Sequence, residues 1–196
     1  MRKIALLLTV LFAVTLFAQN TVSPKPSAGI PKLTTWHVND AYSLKYDPKV
    51  WMQTATKGDN GETIPALFLI GPDGKPNQDF LIEAVVFSEP NKLFDEMFAH
   101  AHNGILAEKG TMQMELSEFH GKTENAVFFS YTQTAEDVAT VISWYAFPGE
   151  TNNMKSHTAI VLVSLFPAKS ATVNINPFDP IEDVIRTFTI AKVTDQ

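Results

Sequence analysis

Cysteine is absent from all 196 residues. That excludes a disulfide framework and any thiol nucleophile. It also leaves nothing after the first apolar run to carry a lipid, so no stable membrane anchor is expected on the mature chain. Arginine is nearly absent too, with Arg2 near the start and Arg186 near the end. Nucleic-acid binding needs clustered basic side chains to neutralise phosphates, and no such cluster occurs. Anionic membrane surfaces are excluded as partners on the same ground. No serine sits in a G-x-S-x-G turn. "GPDGK" is too short for a phosphate loop, and Pro76 follows where a helix should begin.

What is present begins with an address. Arg2 and Lys3 precede an uncharged apolar stretch from Ile4 to Phe17, and Ala18 is a small residue at a cleavage position. The pattern is that of a signal peptide over residues 1–18, and the run is shorter than the roughly 20 residues of a spanning helix. An exported location follows, periplasmic or extracellular. Removing the signal leaves 13 basic residues against 21 acidic ones, a net charge of −8. Residues 19–35 hold Pro24, Pro26 and Pro31 and few large apolar side chains, so they read as a flexible lead-in. Residues 36–192 then form a single domain with room for a sizeable core.

Alternation and turn chemistry order the elements of that domain. Strands are expected at Trp36–Asn39, Tyr42–Tyr46, Trp51–Thr56, Ile64–Ile70 and Phe80–Phe87. A long helix is expected from Asn91 to Lys109, because Leu93, Phe94, Met97, Phe98, Ala101 and Ile105 make one apolar stripe with Gly110 as its cap. Strands return at Met112–Phe119, Asn125–Gln133, Val138–Phe147 and His157–Phe166. A last helix, Pro180–Phe188, is expected to start with Asp179 as N-cap, Pro180 first and Glu182 third. In "VATVISWYAF" and "TAIVLVSLF" both alternating sets are mostly apolar. Val138, Ile142 and Trp144 point one way, and Val141, Tyr145 and Phe147 the other. Such strands belong in the middle of a sheet covered on both faces. The fold class is therefore α+β: a central antiparallel sheet covered on both faces, one long mid-chain helix and a C-terminal helix.

The opening "YSLKYDPKVW", the strand and helix before mid-chain, the three long antiparallel strands and the closing "IEDVIRTF" resemble the PsbP-like superfamily. That group includes the PsbP, DcrB-like and Ran-binding Mog-type proteins. The resemblance runs from Trp36 to Ile190 and implies an α/β/α sandwich in which Tyr42 to Trp51 form the first hairpin. It departs from the pattern where Asp47 intervenes between Tyr46 and Pro48, and from DcrB-like members in lacking the lipid-bearing cysteine. Members of the superfamily mostly stabilise assemblies, chaperone or bind partners. The resemblance thus implies a non-catalytic accessory protein with a protein partner, and carries no site residue over.

Each candidate site residue has a plainer role beside it. His100 and His102 lie two apart on the expected helix and diverge by about 200°, so they cannot share an ion. His37, His120 and His157 sit at strand ends without ligand spacing. "KGDNGE" has oxygen donors but not the order of a calcium loop, and Asn60-Gly61 is a hairpin signal. No metal, cofactor or catalytic residue is assigned. Glu83 is an acid in the apolar strand "FLIEAVVF"; its expected place is an edge or rim facing water, since unpaired acids are rarely buried. Trp36, Trp51 and Glu83 are the candidate partner or ligand surface. Two alternatives stand beside partner binding: a carrier of a small apolar ligand or lipid, and a hydrolase whose residues meet only in three dimensions.

Overall fold

The computed structural model describes residues 32–58, 60–107, 111–135, 138–149, 155–169 and 178–191. The expected signal peptide, the lead-in up to Pro31, the Gly110 cap and most of "GETNNMKS" lie outside them. The elements in order are β1 (Thr34–His37), β2 (Tyr42–Tyr46), β3 (Trp51–Lys57), β4 (Thr63–Ile70), β5 (Pro76–Ser88) and α1 (Phe94–Ala107). There follow β6 (Thr111–His120), β7 (Asn125–Ala135), β8 (Val138–Pro148), β9 (Thr158–Pro167), α2 (Phe178–Ile185) and β10 (Thr189–Ile190). The architecture is mostly β. A seven-stranded sheet runs β3-β4-β5-β9-β8-β7-β6, and a three-stranded sheet runs β1-β2-β10. Every pairing is antiparallel.

Turn chemistry sets the early hairpins. "KGDNGE" joins β3 to β4, with Gly58 N–H donating to Glu62 O at 2.9 Å and Gly61 at a positive φ of 77°. "GPDGK" joins β4 to β5 in the same manner, with Gly74 at φ 75°. Glycine takes that backbone region without the clash a Cβ would bring.

The two-sided pattern of β8 is realised in packing. Val141, Tyr145 and Phe147 join one buried cluster, and Ile142, Trp144 and Ala146 the other. On the first face lie α2, β1 and β2, through Ile181, Val184, Ile185, Phe188, Trp36 and Leu44. On the second lies α1, through Phe94, Met97, Phe98, Ala101 and Ile105. Val138 is the exception on β8: it is 38% exposed, at the strand's start.

Three expectations are corrected. The mid-chain helix has 14 residues and starts at Phe94, not Asn91. Residues 89–92 form a turn, with Lys92 N–H donating to Glu89 O, and the Glu96 carboxylate accepts from the Leu93 N–H. That is half of a capping box, built on a residue whose side chain gives no capping signal. Second, Tyr42 to Trp51 is not a hairpin. The Val50 and Trp51 N–H groups both donate to Asp47 O, and this tight turn hands the chain from the small sheet to the large one. Third, α2 begins at Phe178, so Asp179 and Pro180 lie inside its first turn. The Glu182 carboxylate takes the Arg186 guanidinium at 2.8 Å.

Candidate functional site

Trp36 and Trp51 both belong to the core. Trp36 on β1 stands opposite Leu44 on β2, fully enclosed, and its Nε1–H has no hydrogen-bond partner. Trp51 opens the edge strand β3 opposite Leu69 and is buried in the same cluster. Neither presents a side chain to an outside partner. Among the described residues the exposed large apolar side chains, Leu33, Val86, Leu116 and Val138, come from four separate stretches of chain.

Glu83 is the clearest correction at a single residue. It does not face water; it is 5% exposed. In the sheet it lies between Ala66 of β4 and Val163 of β9, on the face that α1 covers. Ala66 is short enough for the carboxylate to reach over β4 to the edge strand, where the Thr56 hydroxyl donates to it at 2.6 Å. Burial pushes the Glu83 carboxyl above its ordinary value of 4.5, and the Thr56 hydrogen bond opposes this. Neither influence is a charge, so no ion pair offsets the desolvation.

The sign of the resulting pH dependence follows by linkage. With the folded-state value raised, the unfolded chain gives up its proton first as pH rises. The stabilising contribution of Glu83 is therefore complete below 4.5 and is lost as pH climbs through the folded-state value. Glu83→Gln keeps an acceptor for Thr56 and never ionises. Urea unfolding from about pH 4 to about pH 8 is expected to show a flatter stability profile for Glu83→Gln than for wild type. The variant should be the more stable of the two at the alkaline end. A variant that instead loses stability there would mean that a cation holds the carboxylate charged.

The residues that sequence reasoning missed are serines. Ser130, Ser143 and Ser164 are all fully buried, and their hydroxyls have no hydrogen-bond partner. Ser130 of β7 stands directly opposite Ser143 of β8, which stands opposite Ser164 of β9. The signal was present as "FFSYT", "VISWY" and "LVSLF", one serine among apolar residues in each of three successive strands. Alternation places them on the face of Tyr145, Leu162 and Ile160, under α2 and the small sheet. The Tyr145 hydroxyl on that face is also buried without a partner.

None of the five histidines stands with these serines. His37, His100, His120 and His157 are exposed, and His102 meets Phe129 edge-on at 5.2 Å on the other face. His157 instead bonds Lys92 O through Nδ1 at 2.8 Å, tying the start of β9 to the turn before α1. Among the described residues no three His, Asp or Glu side chains converge to hold a metal ion. Arg186 is also spoken for: it pairs with Glu182, donates to His120 O and lies over the Phe119 ring at 4.5 Å.

The sequence matches no protein-family model and no curated protein. Among solved structures the chain is similar to LpqN, described as involved in cell envelope biogenesis of Mycobacterium tuberculosis. The likeness covers 82% of this chain and 91% of LpqN at a TM-score of 0.51, with 12% sequence identity. The two share a fold. No described helix is long and apolar enough to cross a membrane.

Proposed function

We propose that this chain is an exported, non-catalytic accessory protein of the cell envelope that acts by binding a protein partner. The observation that supports the reading is the shared fold with LpqN over most of both chains, together with the signal pattern at residues 1–18. We also place the fold in the PsbP-like superfamily. The order of elements supports this: paired early strands, one helix before four long antiparallel strands, and a closing helix. Partner binding rather than turnover is favoured because, among the described residues, the buried serines stand apart from the histidines and no three His, Asp or Glu side chains converge.

Expression in the native host tests the proposal. Mature protein is expected to begin at or near Gln19 and to fractionate outside the cytoplasm. Deletion of the gene should raise sensitivity to detergent, and the full chain should restore resistance while a chain lacking residues 1–18 should not. Intact Met1 in the exported fraction would sink the signal assignment. Rescue by the leaderless chain would overturn the envelope role.

A further inference from the structure

The outer side of β3 is an open sheet edge. Among the described residues β4 is its one hydrogen-bonded neighbour, so one row of its backbone N–H and C=O groups faces no strand. Two bonds just outside the strand fix which row. Ile70 N–H donates to Val50 O at 2.8 Å at one end, and Gly58 N–H donates to Glu62 O at 2.9 Å at the other. The register pairs every β3 residue between them with β4, and an antiparallel strand bonds its neighbour at alternate residues. Met52, Thr54 and Thr56 therefore bond β4, while Trp51, Gln53, Ala55 and Lys57 turn their backbone groups outward.

Nothing in β3 guards this edge. Sheet edges are ordinarily blunted by shortness, bulges, prolines or charges. β1 has four residues and β10 two, and the register of β6 with β7 shifts twice between Met112 and Ser117. β3 keeps an unbroken register over seven residues, contains no proline and carries one charge, at its last residue Lys57. Gln53, Thr54 and Ala55 at its middle are exposed. Open backbone groups flanked by such side chains fit another extended strand.

Charge at the two ends selects the occupant. The outward Trp51 N–H donates to Asp47 O at 2.9 Å, so the Asp47 turn borders the outer side of β3 at its start. Lys57 stands at the far end. Among the described residues neither Asp47 nor Lys57 has an ion-pair partner. A second copy of β3 laid antiparallel brings its Lys57 to Asp47, and by symmetry the contact forms twice. Centred on Thr54, that pairing sets Trp51 against Lys57 and Gln53 against Ala55, so outward groups meet outward groups along the whole strand. Centred on Gln53 instead, it would set Lys57 against Lys49, like charge against like.

We propose that β3 is a self-association edge, at which two copies of this chain pair antiparallel about a two-fold axis through Thr54 and join their seven-stranded sheets into one. The proposal does not depend on the envelope role. A single strand pair is smaller than a standard protein interface, so the dimer is expected to be weak and concentration-dependent.

Sedimentation velocity of the purified protein from about 1 μM to about 1 mM should show a monomer passing to a dimer. Thr54→Lys leaves every bond to β4 in place and sets two lysines against each other on the axis, so it should fold and stay monomeric. The chain has no cysteine, so Thr54→Cys introduces a lone thiol. Facing residues of a non-hydrogen-bonded pair are about 4.5 Å apart, within disulfide reach, so oxidised glutathione should link the two copies. Gln53→Cys and Ala55→Cys, each offset from its own counterpart, should link more slowly. Hydrogen exchange reads the same register in wild type. The Gln53 and Ala55 amides should exchange freely in the monomer and gain protection in the dimer, while those of Met52 and Thr54 stay protected throughout. Wild type that remains monomeric over the whole range refutes the edge. So does a dimer that survives Thr54→Lys, or one that leaves the Gln53 and Ala55 amides unprotected, since either is built on another face.

Discussion

Trp144→Ala and Tyr145→Ala are each expected to cost about 3–5 kcal/mol of folding stability, although the two residues are adjacent and point in opposite directions. Trp144 packs into the α1-facing cluster, with its ring centroid 5.5 Å from Phe129 and 6.5 Å from Phe98. Tyr145 packs into the opposite cluster, 4.9 Å from Phe119 and 4.7 Å from Phe128. Neither change leaves a site that can collapse, because strands β7 and β9 hold the backbone of β8 on both sides. Val138→Ala on the same strand is the internal control: at 38% exposure it should stay within about 0.5 kcal/mol. Urea unfolding of the three variants separates the outcomes. A near-neutral result at Trp144 or at Tyr145 would mean that the sheet is bare on that side.

Tyr145 allows a finer measurement. Its hydroxyl is buried and unbonded, so the ring rather than the oxygen holds it in place. Tyr145→Phe should therefore keep wild-type stability or exceed it, while Tyr145→Ala falls.

The centre of the large sheet is legible in the sequence because its code is local. Two apolar sets on one strand can only mean two covered faces, and β8 from Val141 and β9 from Ala159 carry that pattern save at their serines. Strand partners are less legible. Period-two alternation puts Tyr42 and Leu44 on one side of their strand, and both are buried. It does not say that β2 also pairs with β10. The division into two sheets rests on the Asp47 turn and on β10, which arrives from the far end of the chain. The start of α1 is hidden for a related reason. Leucine at a cap position carries no signal, and the bond that replaces the missing side chain comes from Glu96.

At the candidate site the illegible part is cross-strand. Sequence alone sets Glu83 facing water because an unpaired acid seldom tolerates burial. What accommodates it is a short Ala66 on the next strand and a hydroxyl from Thr56, 27 residues away. The serines are unremarkable one strand at a time, since a single serine in an apolar strand packs easily. Only the register that sets Ser130 against Ser143 and Ser143 against Ser164 turns them into a row. Trp36 and Trp51 illustrate the converse: early aromatics that read as a surface are the filling between the two sheets.

Phe188→Ala is expected to cost about 3–5 kcal/mol and to loosen the small sheet before the large one. Phe188 follows α2 and is buried between the two sheets, stacked on Phe147 of β8 at 4.1 Å and on Tyr42 of β2 at 6.2 Å. Its carbonyl also accepts from the Thr123 hydroxyl in the β6–β7 turn, and the Arg186 carbonyl accepts from the Lys122 N–H. One ring thus touches both sheets while its backbone is tied to a third element. The small sheet has little of its own to fall back on, because β10 pairs with β2 over only Thr189 and Ile190. Native-state hydrogen exchange on Phe188→Ala should show the β1, β2 and β10 amides opening at lower free energy than those of β8. Phe188→Leu, which retains most of the apolar volume, should lie between the alanine variant and wild type in both measurements. Were the β2 amides to stay as protected as those of β8, the small sheet would be held by Trp36 and Leu44 alone, and Phe188 would not be the pin between the sheets.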